Sequence, residues 1–215
     1  MLFDHKAVKQ QLDEAFLNDS EVDLLKILKS NSFLFHPLYE RKFGIQPNFA
    51  EVPFGSKIRS DFCWLNDNSD GPEWVLVEIE TPQMKLFNVS GDPSAKFNHA
   101  IEQVKSWDRY FESKPSEKAR IFGAVSRFRL VLVVGRRADW QSIEAAKWRS
   151  FHNNKKNNNI EIHSSDIFYD AVDHYSKNAD SFRSFEENPV SLKAKELESN
   201  WSKYEYIRTW RNILN

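Results

Sequence analysis

Asp61 heads the apolar run Asp61-Phe62-Cys63-Trp64-Leu65, and a second run, Val75-Leu76-Val77-Glu78-Ile79-Glu80-Thr81-Pro82, carries two more acids. In an extended strand, alternate side chains point to opposite faces, so Glu78 and Glu80 share one face while Val77 and Ile79 take the other. With Asp61 in a neighbouring strand, three carboxylates meet at one end of a sheet. They repel one another unless positive charge sits among them. A divalent metal is the usual answer, and ligands that are all oxygen suit Mg²⁺. This is the skeleton of a metal-dependent phosphodiesterase site. Gln103 and Trp107 follow, four residues apart on an amphipathic helix.

The elements that must position these groups can be read from period and punctuation. A helix is expected from Lys6 to Phe16, then a second capped within Asn18-Asp19-Ser20, with Val22, Leu24, Leu25 and Leu28 as its core stripe. Residues 31 to 50 read as irregular and aromatic-rich. Strands are expected at Phe49–Pro53, Lys57–Leu65 and Glu73–Glu80, the last two joined by the turn cluster Asn66 to Pro72. Ser94 opens a helix to Ser113 with Ala100, Ile101, Val104, Trp107 and Phe111 buried. The near-continuous apolar run Arg129–Gly135 reads as a central strand covered on both faces. A helix from Asp139 to Phe151, a polar surface loop Asn153–Asn159, a short strand Ile160–His163 and a helix capped by Ser165 complete the core. Residues 190 to 214 read as one charged helix, with Leu197, Trp201, Tyr204, Ile207 and Trp210 as an interaction face. The order predicts an α/β protein with a mixed central sheet flanked by helices and with helical additions at both ends. The expected divisions are a helical segment 1–17, a central domain 18–177 and a helical tail 178–215.

Composition excludes several classes. Thirty Lys and Arg against 31 Asp and Glu leave no overall basic charge for coating DNA, although a local basic face suffices to grip a short duplex. The lone Cys63 cannot form an internal disulfide and sits in an apolar strand, which fits a buried structural thiol and a reducing cytoplasm. No apolar run approaches the roughly 20 residues of a membrane span, and no secretion signal opens the chain. His36, His99 and His163 show no shared zinc spacing. Neither a Gly-x-Ser-x-Gly elbow nor a phosphate-cradling Gly-x-x-x-x-Gly-Lys-Ser/Thr loop is present.

An acid in a hairpin, then Glu-x-Glu in the next strand, then a helix, resembles the PD-(D/E)xK nuclease fold, whose sheet is restriction-endonuclease-like. Glu78-Ile79-Glu80-Thr81-Pro82, Leu86-Phe87 and Ala100-Ile101-Glu102-Gln103-Val104-Lys105-Ser106-Trp107 together resemble the Shedu family of bacterial anti-phage defence nucleases. The upstream Glu21-Val22-Asp23-Leu24-Leu25-Lys26-Ile27-Leu28 followed by Asn31 resembles that family's entry helix, and the likeness spans roughly residues 18 to 175. The resemblance implies an Mg²⁺- or Mn²⁺-dependent DNA endonuclease. Asp61 and Glu78 would be metal ligands, Glu80 a further ligand or general base, and Glu21 an acid supplied by the first helix. Gln103 and Trp107 would match a Gln-x-x-x-Tyr helix motif with Trp in place of Tyr. Glu80 stands where the fold's signature has lysine, so Lys57 or Lys85 would have to supply the cation. Lys57, Arg59, Arg127 and Arg129, together with Arg120, Arg136 and Arg137, could meet DNA phosphates.

Two other readings remain open from the residues. One is a nucleic-acid-binding or assembly module on the same fold without catalysis. The other is an unrelated α/β scaffold for protein partners, in which the acids would lie far apart. The nuclease reading also implies restraint, by homo-oligomer assembly or by a separate sensor or activator protein.

Overall fold

A computed structural model of the chain describes residues 3–41, 44–55, 58–153 and 160–214. Two helices open it. In α1 (His5–Leu17) Asp4 accepts from the Ala7 N–H at 3.1 Å. In α2 (Glu21–Ser30) Ser20 Oγ accepts from the Asp23 N–H at 3.2 Å, and its hydroxyl donates to the Asp23 carboxylate. These bonds satisfy first-turn amides that have no partner within the helix.

The centre is a six-stranded mixed sheet in the order β5-β4-β3-β2-β1-β6. Its strands are β1 (Phe49–Pro53), β2 (Arg59–Asn68), β3 (Gly71–Ile79), β4 (Arg127–Val133), β5 (Ile160–His163) and β6 (Leu192–Lys193). β1, β2 and β3 pair antiparallel; β4 and β5 continue parallel to β3, and β6 lies parallel to β1. Every residue of β3 is buried, as a strand covered on both faces must be.

Alternation divides the core into two layers. Phe62, Trp64, Val75, Val77 and Ile79 face α1, α2, a buried 3₁₀ segment (Ser32–Leu38) and α7 (Ile167–Lys177). Cys63, Leu65, Trp74, Leu76, Leu130 and Leu132 face α3 (Ala95–Ser113) and α4 (Pro115–Phe122). Asp61 and Glu78 are in phase with this second set, so both acids point toward α3.

Several expectations are corrected. Val22 is 62% exposed, and Ile27 takes its place in the α2 stripe with Leu24, Leu25 and Leu28. The turn is shorter than Asn66 to Pro72: the ladder runs to Asn68↔Gly71, leaving Ser69-Asp70 as the connection. Asn66 and Asp67 read as turn formers, but the strand satisfies them. Asn66 donates to Glu73 at 2.8 Å, and Asp67 accepts from Arg41 and Tyr204. The helix expected from Asp139 to Phe151 is two pieces, α5 (Arg137–Trp140) and α6 (Ile143–Asn153). Asp166 rather than Ser165 precedes α7, and Ser165 is buried. The loop expected at Asn153–Asn159 falls, beyond Asn153, outside the described residues, as does Lys57.

The terminal helix is also broken. After the short α8 (Arg183–Glu186), residues 190 to 214 form β6, a 3₁₀ turn, α9 (Leu197–Trp201) and α10 (Glu205–Leu214). Leu197, Trp201 and Ile207 are buried in the α3 layer, and Trp201 Nε1 donates to the Ile121 carbonyl at 2.8 Å. The apolar face read as an interaction surface therefore packs on the chain's own core. Among the described residues no helix is long and apolar enough to cross a membrane.

Candidate functional site

The β2–β3 register pairs Phe62 with Val77, and its continuation sets Asp61 opposite Glu78 at the end of the ladder. Asp61 Oδ2 accepts from the Ile79 N–H at 2.8 Å, so this carboxylate replaces the last ladder bond. Glu80 continues the strand, its N–H donating to the Val133 carbonyl at 3.0 Å. From across the α3 layer Gln103 Nε2 donates to Glu78 Oε1. Glu78 Oε2 is buried and has no hydrogen-bond partner among the described residues. Burying a carboxylate oxygen without a partner is costly, which marks this atom for something further.

Electrostatics tie a fourth acid to these three. Glu21, at the first position of α2, acts on Asp61, Glu78 and Glu80 alike. Burial, then Asp61, Glu80 and Glu21, hold the Glu78 carboxyl far above the usual carboxylate range. Asp61 is raised by burial and by Glu21, against the lowering effect of the Ile79 amide, Arg59 and Lys29. Burial, Glu21 and Asp61 push Glu80 up to about 7, with Lys96 opposing. Glu21 is itself raised by burial, which Arg59 partly offsets. Four acids thus crowd one end of the sheet with less positive charge than they need.

Lys29, Arg59 and Lys96 rim them. Glu51 in β1 accepts from Lys29 at 2.8 Å and faces Arg59 Nη1 at 3.5 Å. Its backbone is left-handed, φ 54°, at the one position where the β1–β2 ladder is interrupted, opposite Asp61. A non-glycine residue there is strained, and the kink returns Val52 to the α3 layer, in phase with Phe49. Beside the cluster a cleft of about 680 Å³ is lined by Pro53, Ile58, Arg59, His99, Gln103 and Ser106 among others.

The structure brings Glu21, Asp61, Glu78, Glu80, Gln103 and Arg59 together and leaves the other expected residues elsewhere. Arg127 is paired with Asp70 and Glu73 at 2.8 and 2.7 Å. It lies opposite Glu73, five residues and roughly 16 Å along β3 from Glu78. Arg129 is held by Glu161 and the Leu38 carbonyl, both at 2.7 Å. Arg120, Arg136 and Arg137 are engaged with Glu117, Asp166 and Asp170. Lys85 lines a separate depression with Asn88 and Asp139. Trp107 is fully buried against Phe54 and serves packing.

Lys29, Glu51, Lys96, His99 and Ser106 were missed by sequence reasoning. For those on α3 a signal exists: Lys96, His99, Gln103 and Ser106 recur at i, i+3, i+7 and i+10, a polar stripe beside the apolar one. Lys29 and Glu51 meet through the fold alone.

The donor set is all oxygen, suiting a hard divalent cation, and the partnerless Glu78 Oε2 fits a ligand role. The acids share one region without converging on a point. Among the described residues no three His, Cys, Asp or Glu side chains form a ready-made ligand set.

Fold and site define a mixed α/β protein with a buried acid cluster at one end of its sheet. The family described as Shedu protein SduA, C-terminal, matches residues 18–169, well over half of the chain. The chain belongs to the Shedu family, and this membership points to a defence-related role. No curated protein matches it.

Proposed function

We propose that this chain is a metal-dependent DNA endonuclease of the PD-(D/E)xK kind, acting in defence against phage. The observation that carries the reading is the partnerless, buried Glu78 Oε2, whose carboxyl is raised by burial and by the neighbouring acids Asp61, Glu80 and Glu21. Asp61 and Glu78 would hold Mg²⁺ or Mn²⁺, with Glu80 or Glu21 completing the set. Bound there, the cation would polarise a phosphodiester, lower the pKa of a water and offset charge growing on the phosphate.

The side chains divide the remaining work. The Ile79 N–H fixes one Asp61 oxygen, which aims the other. Gln103 holds Glu78 by Oε1 and so orients Oε2. Glu80, raised to about 7, is poised to accept a proton at its carboxylate near neutral pH. Lys96 faces it and stands in for the cation that the strand signature lacks.

The dispersed donors favour a second reading, a module that holds nucleic acid without cutting it. Incubating linear, nicked and supercoiled DNA with Mg²⁺ or Mn²⁺ separates the two. The nuclease reading expects cutting by the wild type that chelator, Asp61→Ala or Glu78→Ala abolishes. DNA retained intact on every substrate would contradict it in favour of the module.

A further inference from the structure

Among the arginines discussed above, Arg59 alone stands at the acid cluster. Arg127, Arg129, Arg136 and Arg137 are each locked at 2.6 to 2.8 Å onto an acid of their own, away from the cleft. Arg59 lines the cleft, its side chain is 61% exposed, and its ion pair with Glu51 is long, at 3.5 Å. It lies two residues before Asp61 on β2 and therefore on the same side of the strand. Glu51 divides its charge between Lys29 and Arg59 and is held in a left-handed backbone at the ladder's interruption. Strain of that kind persists only where the surroundings enforce it, and it gathers at functional positions.

We infer that Arg59 is the residue that grips a backbone phosphate of a nucleic-acid strand at the mouth of this cleft, with Glu51 as the internal carboxylate that the phosphate displaces. A planar guanidinium offers paired donors to two phosphate oxygens, a geometry that its single long contact with Glu51 does not use. The exchange keeps Arg59 paired throughout. In the free protein Glu51 holds it beside four acids; in the complex the phosphate takes its place. Arg59 also opposes the charge of Glu21, Asp61 and Glu78, so it is the cation that brings phosphate toward carboxylates that would otherwise repel it.

The inference rests on the nuclease reading for the identity of the ligand, but the grip itself can be measured without cleavage. The probe is a fluorescein-labelled duplex of about 20 base pairs in Ca²⁺, titrated by polarisation at several salt concentrations. Arg59→Ala is expected to weaken binding about tenfold and to flatten the slope of log affinity against log salt by about 0.9, the loss of one phosphate contact. Arg59→Lys should keep the slope while losing affinity, because the charge remains and the fork is gone. Glu51→Gln should act in the opposite direction and tighten binding, a sign that a merely structural role for Arg59 would not give. Unfolding curves confirm that each variant is folded. An unchanged affinity and slope in Arg59→Ala overturns the inference, as does a wild type with no salt-dependent binding. Cleavage of the same duplex in Mg²⁺ reports separately. Cutting with Arg59-independent binding sinks the grip and leaves the nuclease; Arg59-dependent binding without cutting sinks the nuclease and leaves the grip.

Discussion

Glu78 shows how one side chain is shaped by its surroundings. It sits in a strand buried on both faces, bonded by Gln103 at one oxygen and by nothing described at the other. Its carboxyl is raised, as are those of Asp61 and Glu80. A carboxyl raised by folding stabilises the fold fully below its unfolded pKa, near 4.5 for Glu, and loses that contribution as pH rises through the folded value. Without divalent cation the protein should therefore lose stability from about pH 5 upward, through about 7 for Glu80 and beyond for Glu78. Glu78→Gln removes the largest part of this penalty while keeping shape and a bond to Gln103. In chelator at about pH 8 it should gain on the order of 1–3 kcal/mol, raising Tm by several degrees. Thermal unfolding of both proteins across that range checks it, and a variant less stable than the wild type at high pH would refute the electrostatic account.

Between elements, a close fit lies where the tail meets the domain. Gly123 ends α4 at φ 75°, and a Cβ there would come within 2.6 Å of Trp201 and 2.7 Å of Ile207. Gly123→Ala should cost about 2–4 kcal/mol through strain and overpacking, read as a lower denaturant midpoint with cleavage per folded molecule intact. A loss below about half a kcal/mol would show that α9 and α10 dock loosely. This contact was invisible in the sequence, where residues 190 to 214 read as one helix. Their helix-favouring composition is overridden by the pairing of Leu192 with Phe49 and by burial of Trp201 beside Ile121. β6 was not legible, whereas the five strands β1 to β5 were, because buried runs and alternation are local properties. So was α3, whose nineteen residues carry a regular stripe. The hairpin was mis-sized because Asn66 is satisfied across the ladder by Glu73 and Asp67 by the distant Arg41 and Tyr204, and Val22 was misassigned because Ile27, on the same helix, fills the layer instead.

For the whole molecule, the fold gathers Glu21, Asp61, Glu78 and Glu80 from three elements separated by up to sixty residues, and sets Lys29, Arg59 and Lys96 around them. Asp61, Glu78 and Glu80 were legible from type and alternation. Glu21 was legible only through family likeness; of the rim, Arg59 was legible as a cation that could meet phosphate, but its link to Lys29 through Glu51 was not, since that depends on a kink in β1 that no residue pattern announces. The central claim is that this charge-starved cluster is built to hold a divalent cation. Its most direct test is calorimetric titration of Mg²⁺ into wild type and Glu78→Gln at about pH 6 and about pH 8. The account predicts one saturable event in the wild type, tighter at the higher pH because protons leave the raised carboxyls, and lost or greatly weakened in Glu78→Gln. Binding that is absent in the wild type at millimolar Mg²⁺, or equal in the two proteins, would contradict it.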